Sequence, residues 1–207
     1  MLETIIGFDE SAASVLMAQR DPLLYDVFLW FTTLGNWWVV LLILLLIIFV
    51  LEERHRNWRL AALIFGFFGT QATVFFVKHI VGRERPGVIE EGVIQNLSTT
   101  ASFPSGHAAT AIAFYGLLLY LILIKEKNKY MKVGYYVSGV TFILLIGFSR
   151  LYIGVHYVSD VLAGYLVGGV FLVLSLAIAR KRIPESWKRL IKQFSQKFHS
   201  NAKSEKE

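Results

Sequence analysis

Five apolar runs without a single Asp, Glu, Lys or Arg dominate the chain: Trp37–Leu51, Leu60–Val77, Ala108–Ile124, Val133–Phe148 and Val161–Ala179. They are 15, 18, 17, 16 and 19 residues long, and a helix that crosses a bilayer needs roughly 20 predominantly apolar residues. The first run reaches that length by extending back through Leu34–Asn36; the fourth borrows from its flanks. One such run could be a buried hairpin of a soluble protein. Five in succession point to lipid as the solvent. Of the 207 residues, 55% are hydrophobic and only 17% charged, whereas soluble domains carry about a quarter charged residues. The expected fold class is all-α: a polytopic membrane helix bundle with five to six transmembrane helices plus N-terminal amphipathic helices.

Residues Asp9–Thr33 mix apolar groups with Asp9, Glu10, Arg20, Asp21 and Asp26, and Pro22 divides them. They read as two short amphipathic helices at the interface or packed on the bundle, or as a sixth, poorer span. No cleavable signal peptide is expected, because MLETIIGFDE lacks a basic start and a continuous apolar core. The chain has no cysteine, which removes disulfides and thiolate metal sites. Its organisation reads as a single membrane domain over 1–207, with N-terminal helices over 9–34, a core over 58–180 and a basic tail over 184–207.

The formal net charge of +6 would suggest nucleic acid in a soluble protein, but its placement argues otherwise. Sixteen of the 21 Lys and Arg residues fall in alternate loops and the tail, on one face. That face is expected to be cytoplasmic, and the charge then records topology and anionic lipid heads rather than a nucleic-acid partner. In the tail, Trp187, Leu190, Ile191, Phe194 and Phe198 recur at helical spacing. An interfacial helix and a solvated tail both fit that pattern. The opposite face holds Arg20, Lys78, Arg83, Arg85 and Arg150.

Those few outward-facing cations sit beside span ends. Span parity brings three polar elements to one membrane surface: KHIVGRERP (Lys78–Pro86), FPSGH (Phe103–His107) and SRLYIGVHYVSD (Ser149–Asp160). Ionisable groups at such depth are functional candidates. Lys78, Arg85 and Arg150 offer an ammonium and two guanidinium forks suited to phosphate oxygens. Ser105 and Gly106 precede an inward-going helix, whose first N–H groups favour an anion, and Gly106 lets a ligand approach the backbone. His156 and Asp160 are four residues apart and share a face if helical. A carboxylate there would hold one imidazole nitrogen as N–H and free the other for attack. His107 could protonate a departing oxygen.

Blander readings stand beside these. Lys and Arg near helix ends also snorkel, and Asp160 could simply cap the last span. His55, His79 and His199 read as bystanders, Arg83 as an accessory contact, and Glu90 and Glu91 as solvated loop or groups tuning access. Gly66, Gly69 and Gly116 would allow close helix packing or leave a lateral opening. A metal site is disfavoured, because the histidines keep company with cations.

At these residues the chain resembles the type 2 phosphatidic acid phosphatase superfamily, which includes bacterial membrane lipid phosphatases and vanadium haloperoxidases. The three-part signature K-x6-RP, PSGH and SR-x5-H-x3-D matches Lys78 with Arg85–Pro86, Pro104–His107, and Ser149–Arg150 with His156 and Asp160. The resemblance covers about residues 58–180. It implies His156 as nucleophile through a phosphohistidine, Asp160 orienting it, and His107 as general acid and then base for water. It also implies Lys78, Arg85, Ser105, Gly106 and Arg150 as phosphoryl-binding residues, with no metal or other cofactor. The membrane-bound chain looks like the phosphatase branch. The expected partners are membrane lipids and a lipid phosphate substrate: phosphatidylglycerol phosphate, phosphatidic acid or undecaprenyl diphosphate. The expected location is the cytoplasmic membrane with the pocket on its outer face. Phosphotransfer from the same pocket, and a non-catalytic lipid-phosphate binding or transport protein, are the alternatives; oligomeric state stays open.

Overall fold

The computed structural model describes residues 2–51, 57–86 and 101–180. Among them every regular element is helical: α1 (Leu2–Ala18), α2 (Pro22–Thr32), a 3-10 turn (Thr33–Gly35), α3 (Trp37–Leu51), α4 (Asn57–Val81), α5 (Gly106–Thr110), a π-helical stretch (Ala111–Tyr115), α6 (Gly116–Leu123), α7 (Lys129–Tyr152) and α8 (Val158–Arg180). The polytopic helix bundle is therefore as expected. The expected tail helix, together with Arg54, His55, Arg56, Glu90, Glu91 and His199, lies outside the described residues.

Four helical stretches are long and apolar enough to cross a membrane: Trp58–Val81, Gly106–Leu123, Lys129–Tyr152 and Val158–Arg180. Large apolar side chains face outward along them and along α3, with Phe49 76%, Phe76 64% and Leu166 73% exposed. In water such a belt would be an aggregation surface; in lipid it is ordinary. The fourth apolar run borrows from both flanks, so that α7 runs from Lys129 to Tyr152. The first does not extend straight back. Asn36 adopts an extended conformation after the 3-10 turn, and Pro22–Gly35 meets Trp37–Phe49 at a 49° bend. Counted as one broken span, that pair brings the total to five by length and composition.

The N-terminal helices form where the sequence divides them. Asp21 caps α2 by accepting from the Leu24 N–H, and Pro22 occupies the first turn, where its missing N–H does no harm. Neither helix is isolated. Arg20 Nε donates to the Tyr152 carbonyl at 3.0 Å, and the Asp21 N–H donates to the Tyr152 hydroxyl at 2.9 Å. Both fasten the α1–α2 turn to the end of α7.

α8 is the central helix, packed on α4, α5 and the π-helical stretch. Its contact with α5 is backbone on backbone. A Cβ at Gly164 would collide with the Ser105 carbonyl, and one at Gly168 with the Ala109 carbonyl, whose Cα would be only 3.0 Å away. Small residues four apart allow this approach between membrane helices. Gly66 and Gly116 face Ser175 and Leu172 at 2.6 and 2.9 Å from their would-be Cβ atoms, and Gly69 faces Phe171. These three glycines serve close packing on α8 rather than a lateral opening.

A Gly168→Ala substitution is expected to lower stability by about 1–3 kcal/mol, the size of an overpacking strain, read as a lower thermal midpoint in detergent. Gly169→Ala, whose added Cβ would have nothing within 4 Å, should be neutral or gain about 0.5–1 kcal/mol from reduced backbone entropy.

Candidate active site

The first polar element is held by backbone carbonyls. After α4 the chain turns at Gly82 (φ 61°) and runs beside Ala101–Ser102. The Ser102 N–H donates to the Arg83 carbonyl at 2.8 Å, and its hydroxyl donates to the Glu84 carbonyl at 2.9 Å. Lys78, in the last turn of α4, donates through Nζ to the Ala101 carbonyl and, at 3.3 Å, to that of Ser102. Arg85 donates through Nη1 to the Val155 carbonyl at 2.7 Å and through Nη2 to that of Ala101 at 3.5 Å. Carbonyl dipoles thus help to position two cations.

The second element opens α5. Ser105 is fully buried and caps the helix by accepting from the Ala108 N–H at 3.5 Å; its own O–H remains able to donate. The Ser105 N–H donates to the Asp160 carbonyl at 2.9 Å, which ties this element to α8. At Gly106 a Cβ would meet only Val74, at an ordinary 3.5 Å. Packing within the protein therefore does not demand glycine there. His107 follows, and its Nε2 is buried without a hydrogen-bond partner among the described residues. The α2–α3 joint passes beside it: a Cβ at Gly35 would lie 2.9 Å from His107 Cδ2.

The third element spans the end of α7 and the start of α8. Arg150 is 4% exposed; its Nη1 donates to Thr32 Oγ1 at 2.9 Å, and its Nε has no partner among the described residues. The chain then turns through Gly154, whose φ of 74° suits glycine. His156 is buried and lies in this turn, two residues before α8 begins. The expected helical i,i+4 relation is thus corrected: Asp160 reaches back from the first turn of α8 to His156. Its Oδ2 accepts from the Tyr157 N–H at 2.9 Å and stands 3.4 Å from His156 Nδ1. The cap binds an otherwise unpaired helix-start N–H, so capping and facing the imidazole are done by one oxygen.

Four helix ends bring these groups together. His107 lies within electrostatic reach of Arg150, His156, Arg85 and Lys78, and Lys78 within reach of Arg85, Asp160 and Arg150. Burial, then the charges of Arg150, Arg85 and Lys78, push the His156 imidazole well below its ordinary range, while a hydrogen bond to the Ser102 carbonyl works the other way. Burial lowers Arg85 as well, opposed by Asp160, but a guanidinium stays charged at neutral pH. His107 Nε2 and Arg150 Nε, buried and without partners among the described residues, are what an anion's oxygens would satisfy.

Arg83 is not an accessory phosphate contact in this arrangement. Its fork is engaged by Asp9, Ser159 and Asp160. His79 is a bystander: its Nδ1 bonds the Phe75 carbonyl at 2.7 Å and its ring stacks on Phe75. No motif or spacing in the sequence directly marks Ser102, Asp9, Thr32 or Ser159. Only the nearness of Ser102 to PSGH and of Ser159 to Asp160 could have hinted at two of them. An apolar groove of about 380 Å³ runs between α6 and α7, lined by Tyr115, Leu118, Ile122, Tyr135 and Phe142; it contains none of the polar groups above. Among the described residues no three His, Asp or Glu side chains are grouped to hold a metal ion.

The chain is similar to known proteins in sequence and in fold. The PAP2 superfamily model matches residues 59–184. Phosphatidylglycerophosphatase B of Bacillus subtilis is 36% identical over 98 residues, 46% of this chain and 43% of that protein. An undecaprenyl-diphosphatase of Sulfolobus acidocaldarius is 32% identical over 103 residues, 49% of this chain and 46% of that protein. This chain therefore spans less than half the length of either curated relative. The crystal structure of a transmembrane PAP2-type phosphatidylglycerolphosphate phosphatase from Bacillus subtilis superposes with a TM-score of 0.74 at 26% identity, covering 87% of this chain and 90% of that one.

The environment of His156 makes a prediction independent of turnover. Because burial and three cations disfavour its charged form, the ring should stay neutral as pH falls through about 6.5, the ordinary histidine value. Nitrogen NMR of histidine-labelled protein, with His156→Ala to assign the signal, would read this. A titration at or above 6.5 would contradict it.

Proposed function

The chain belongs to the PAP2 superfamily, and from that premise we propose that it is an integral membrane lipid phosphatase acting through a phosphohistidine on His156. The supporting observation is the pocket's imbalance. Among the described residues, three cations and two imidazoles gather beside a carboxylate, Asp160, that is also bonded by Arg83. An oxyanion-rich group would complete the set.

In the proposed first step, Nε2 of neutral His156 attacks phosphorus while Asp160 holds the N–H at Nδ1. The bond from phosphorus to the lipid oxygen breaks, and that oxygen takes a proton from His107. In the second step, His107 accepts a proton from water. The water oxygen attacks the phosphohistidine, releasing orthophosphate and restoring His156. Lys78, Arg85, Arg150 and the start of α5 at Ser105–Gly106 bind the non-bridging oxygens throughout. Phosphoryl transfer of this kind relies mainly on positioning and charge stabilisation. The chain's own groups supply both, so the reading is metal-independent.

A substrate with its phosphate at the interface and its tails in lipid fits a pocket at the helix ends. The relatives' names include a phosphomonoester and a diphosphate of lipids. Phosphatidylglycerol phosphate, phosphatidic acid and undecaprenyl diphosphate are accordingly the substrates to compare. The Lys and Arg distribution supports a pocket on the outer face of the cytoplasmic membrane. Since the chain has no cysteine, single cysteines can test this: Ile80→Cys, near the pocket, should react with an impermeant maleimide added to intact cells, and Tyr130→Cys should not.

His156→Ala should lower phosphate release from these lipids by about a thousandfold or more while the thermal midpoint is retained; wild-type release would exclude the nucleophile. EDTA should leave wild-type release unchanged. His107→Ala should cost roughly 10²–10⁴-fold on monoesters and distinctly less on undecaprenyl diphosphate, whose leaving group needs less help from a proton. Equal losses on both would remove the proton-donor role. Transfer to an added alcohol exceeding hydrolysis would favour a phosphotransferase, and binding without turnover a transport or binding protein.

A further inference from the structure

Arg83 lies two residues before the signature arginine and bonds to protein on every side. Its Nη1 donates to Asp160 Oδ1 at 2.8 Å and to Ser159 Oγ at 2.7 Å. Its Nη2 donates to Asp9 Oδ2 at 2.9 Å, and its Cζ stands 4.0 Å from the centroid of the Tyr157 ring. Asp9 comes from the middle of α1, outside the segment that matches the family model. It is only 1% exposed. The Ser159 N–H donates to its Oδ1 at 3.0 Å, and the Ser159 hydroxyl donates to its Oδ2. A carboxylate from the first helix therefore caps the start of the last one, where negative charge is favourable.

The two oxygens of Asp160 are divided. Oδ1 faces Arg83, and Oδ2 faces His156 and the Tyr157 N–H. A fully buried carboxylate without a cation tends to take up a proton, and a protonated one could not hold the Nδ1 proton of an imidazole as an acceptor. It could also rotate and exchange its oxygens. The guanidinium at Oδ1 opposes both changes. Asp9, Ser159 and the Tyr157 ring in turn fix the guanidinium. Burial disfavours the charged Arg83, but its bond to Asp9 and the charges of Asp160 and Asp9 outweigh this and raise its pKa.

We propose that Asp9 and Arg83 are positioning residues, forming a relay Asp9–Arg83–Asp160–His156 that fixes the orientation and charge of Asp160. The proposal rests on the reading of His156 as nucleophile with Asp160 as its partner. Neither Asp9 nor Arg83 touches the reacting atoms. Their loss should therefore slow the attack without weakening substrate binding, and should do so equally for every leaving group.

The test is a double-mutant cycle on purified, detergent-folded protein, with kcat and KM measured for a lipid phosphomonoester and for undecaprenyl diphosphate. Arg83→Lys keeps the charge but loses the fork; Asp9→Asn keeps the shape but loses the charge that anchors Arg83. Each should lower kcat about tenfold or more on both substrates, with KM within about twofold. In an Asp160→Asn background the same substitutions should change kcat less than about threefold, because contacting residues acting through one another are not additive. If Arg83→Lys does not fold, Asp9→Asn alone carries the cycle. Unchanged kcat, or a full loss persisting beside Asp160→Asn, overturns the relay. His156→Ala is measured in parallel. Wild-type turnover there sinks the nucleophile reading itself, whereas lost turnover there with normal Arg83→Lys and Asp9→Asn sinks only the relay.

Discussion

Like charges crowd the pocket, and backbone carbonyls and a hydroxyl orient them. Lys78, Arg85 and Arg150 lie within electrostatic reach of one another, at a depth where uncompensated charge is expensive. The carbonyls of Ala101, Ser102 and Val155 and the hydroxyl of Thr32 orient them. None of these acceptors carries a full negative charge. Asp160, the carboxylate within their reach among the described residues, is also bonded by Arg83. Among the described residues the site thus gathers cations from three elements, a setting suited to an oxyanion. Burial, and then those charges, favour the neutral state of His156.

The bundle exists to bring those dipoles into place. Gly164 and Gly168 let α8 lie against the backbone of α5, which places Asp160 and its carbonyl beside Ser105. Wider packing would separate the second polar element from the third. The bend at Asn36 brings Gly35 against His107 and follows directly on the helix that carries Thr32 to Arg150. The helices before the family-matched segment thus buttress three of its polar groups: Asp160 through Arg83, Arg150 through Thr32, and His107 through Gly35.

Much of this was legible in the sequence. The apolar runs announced the spans, and their parity put Lys78, His107, Arg150 and Asp160 at one end of the bundle before any contact was known. What escaped was contact that hydropathy and spacing do not encode. Asp9 sits in an amphipathic helix among other charged residues, and no local pattern distinguishes it from the exposed Glu10. Ser102 acts largely through backbone groups, which every residue possesses. Nothing in a run of small and aromatic residues marks Ala111–Tyr115 as π-helical. Spacing alone does not decide whether His156 lies in the last helix or before it; the bond from the Tyr157 N–H to Asp160 sets that boundary.

The bond between Asp9 and Ser159 joins residues 150 apart in the chain. A ribosome delivering this protein to the membrane releases the first partner long before the second. The Asp9 carboxylate can meet Arg83 once α4 has emerged, but Ser159 only once α8 has followed. The cap on α8 is therefore completed only when the last helix arrives, and a nascent chain cut short at the end of α7 lacks His156, Ser159 and Asp160 altogether.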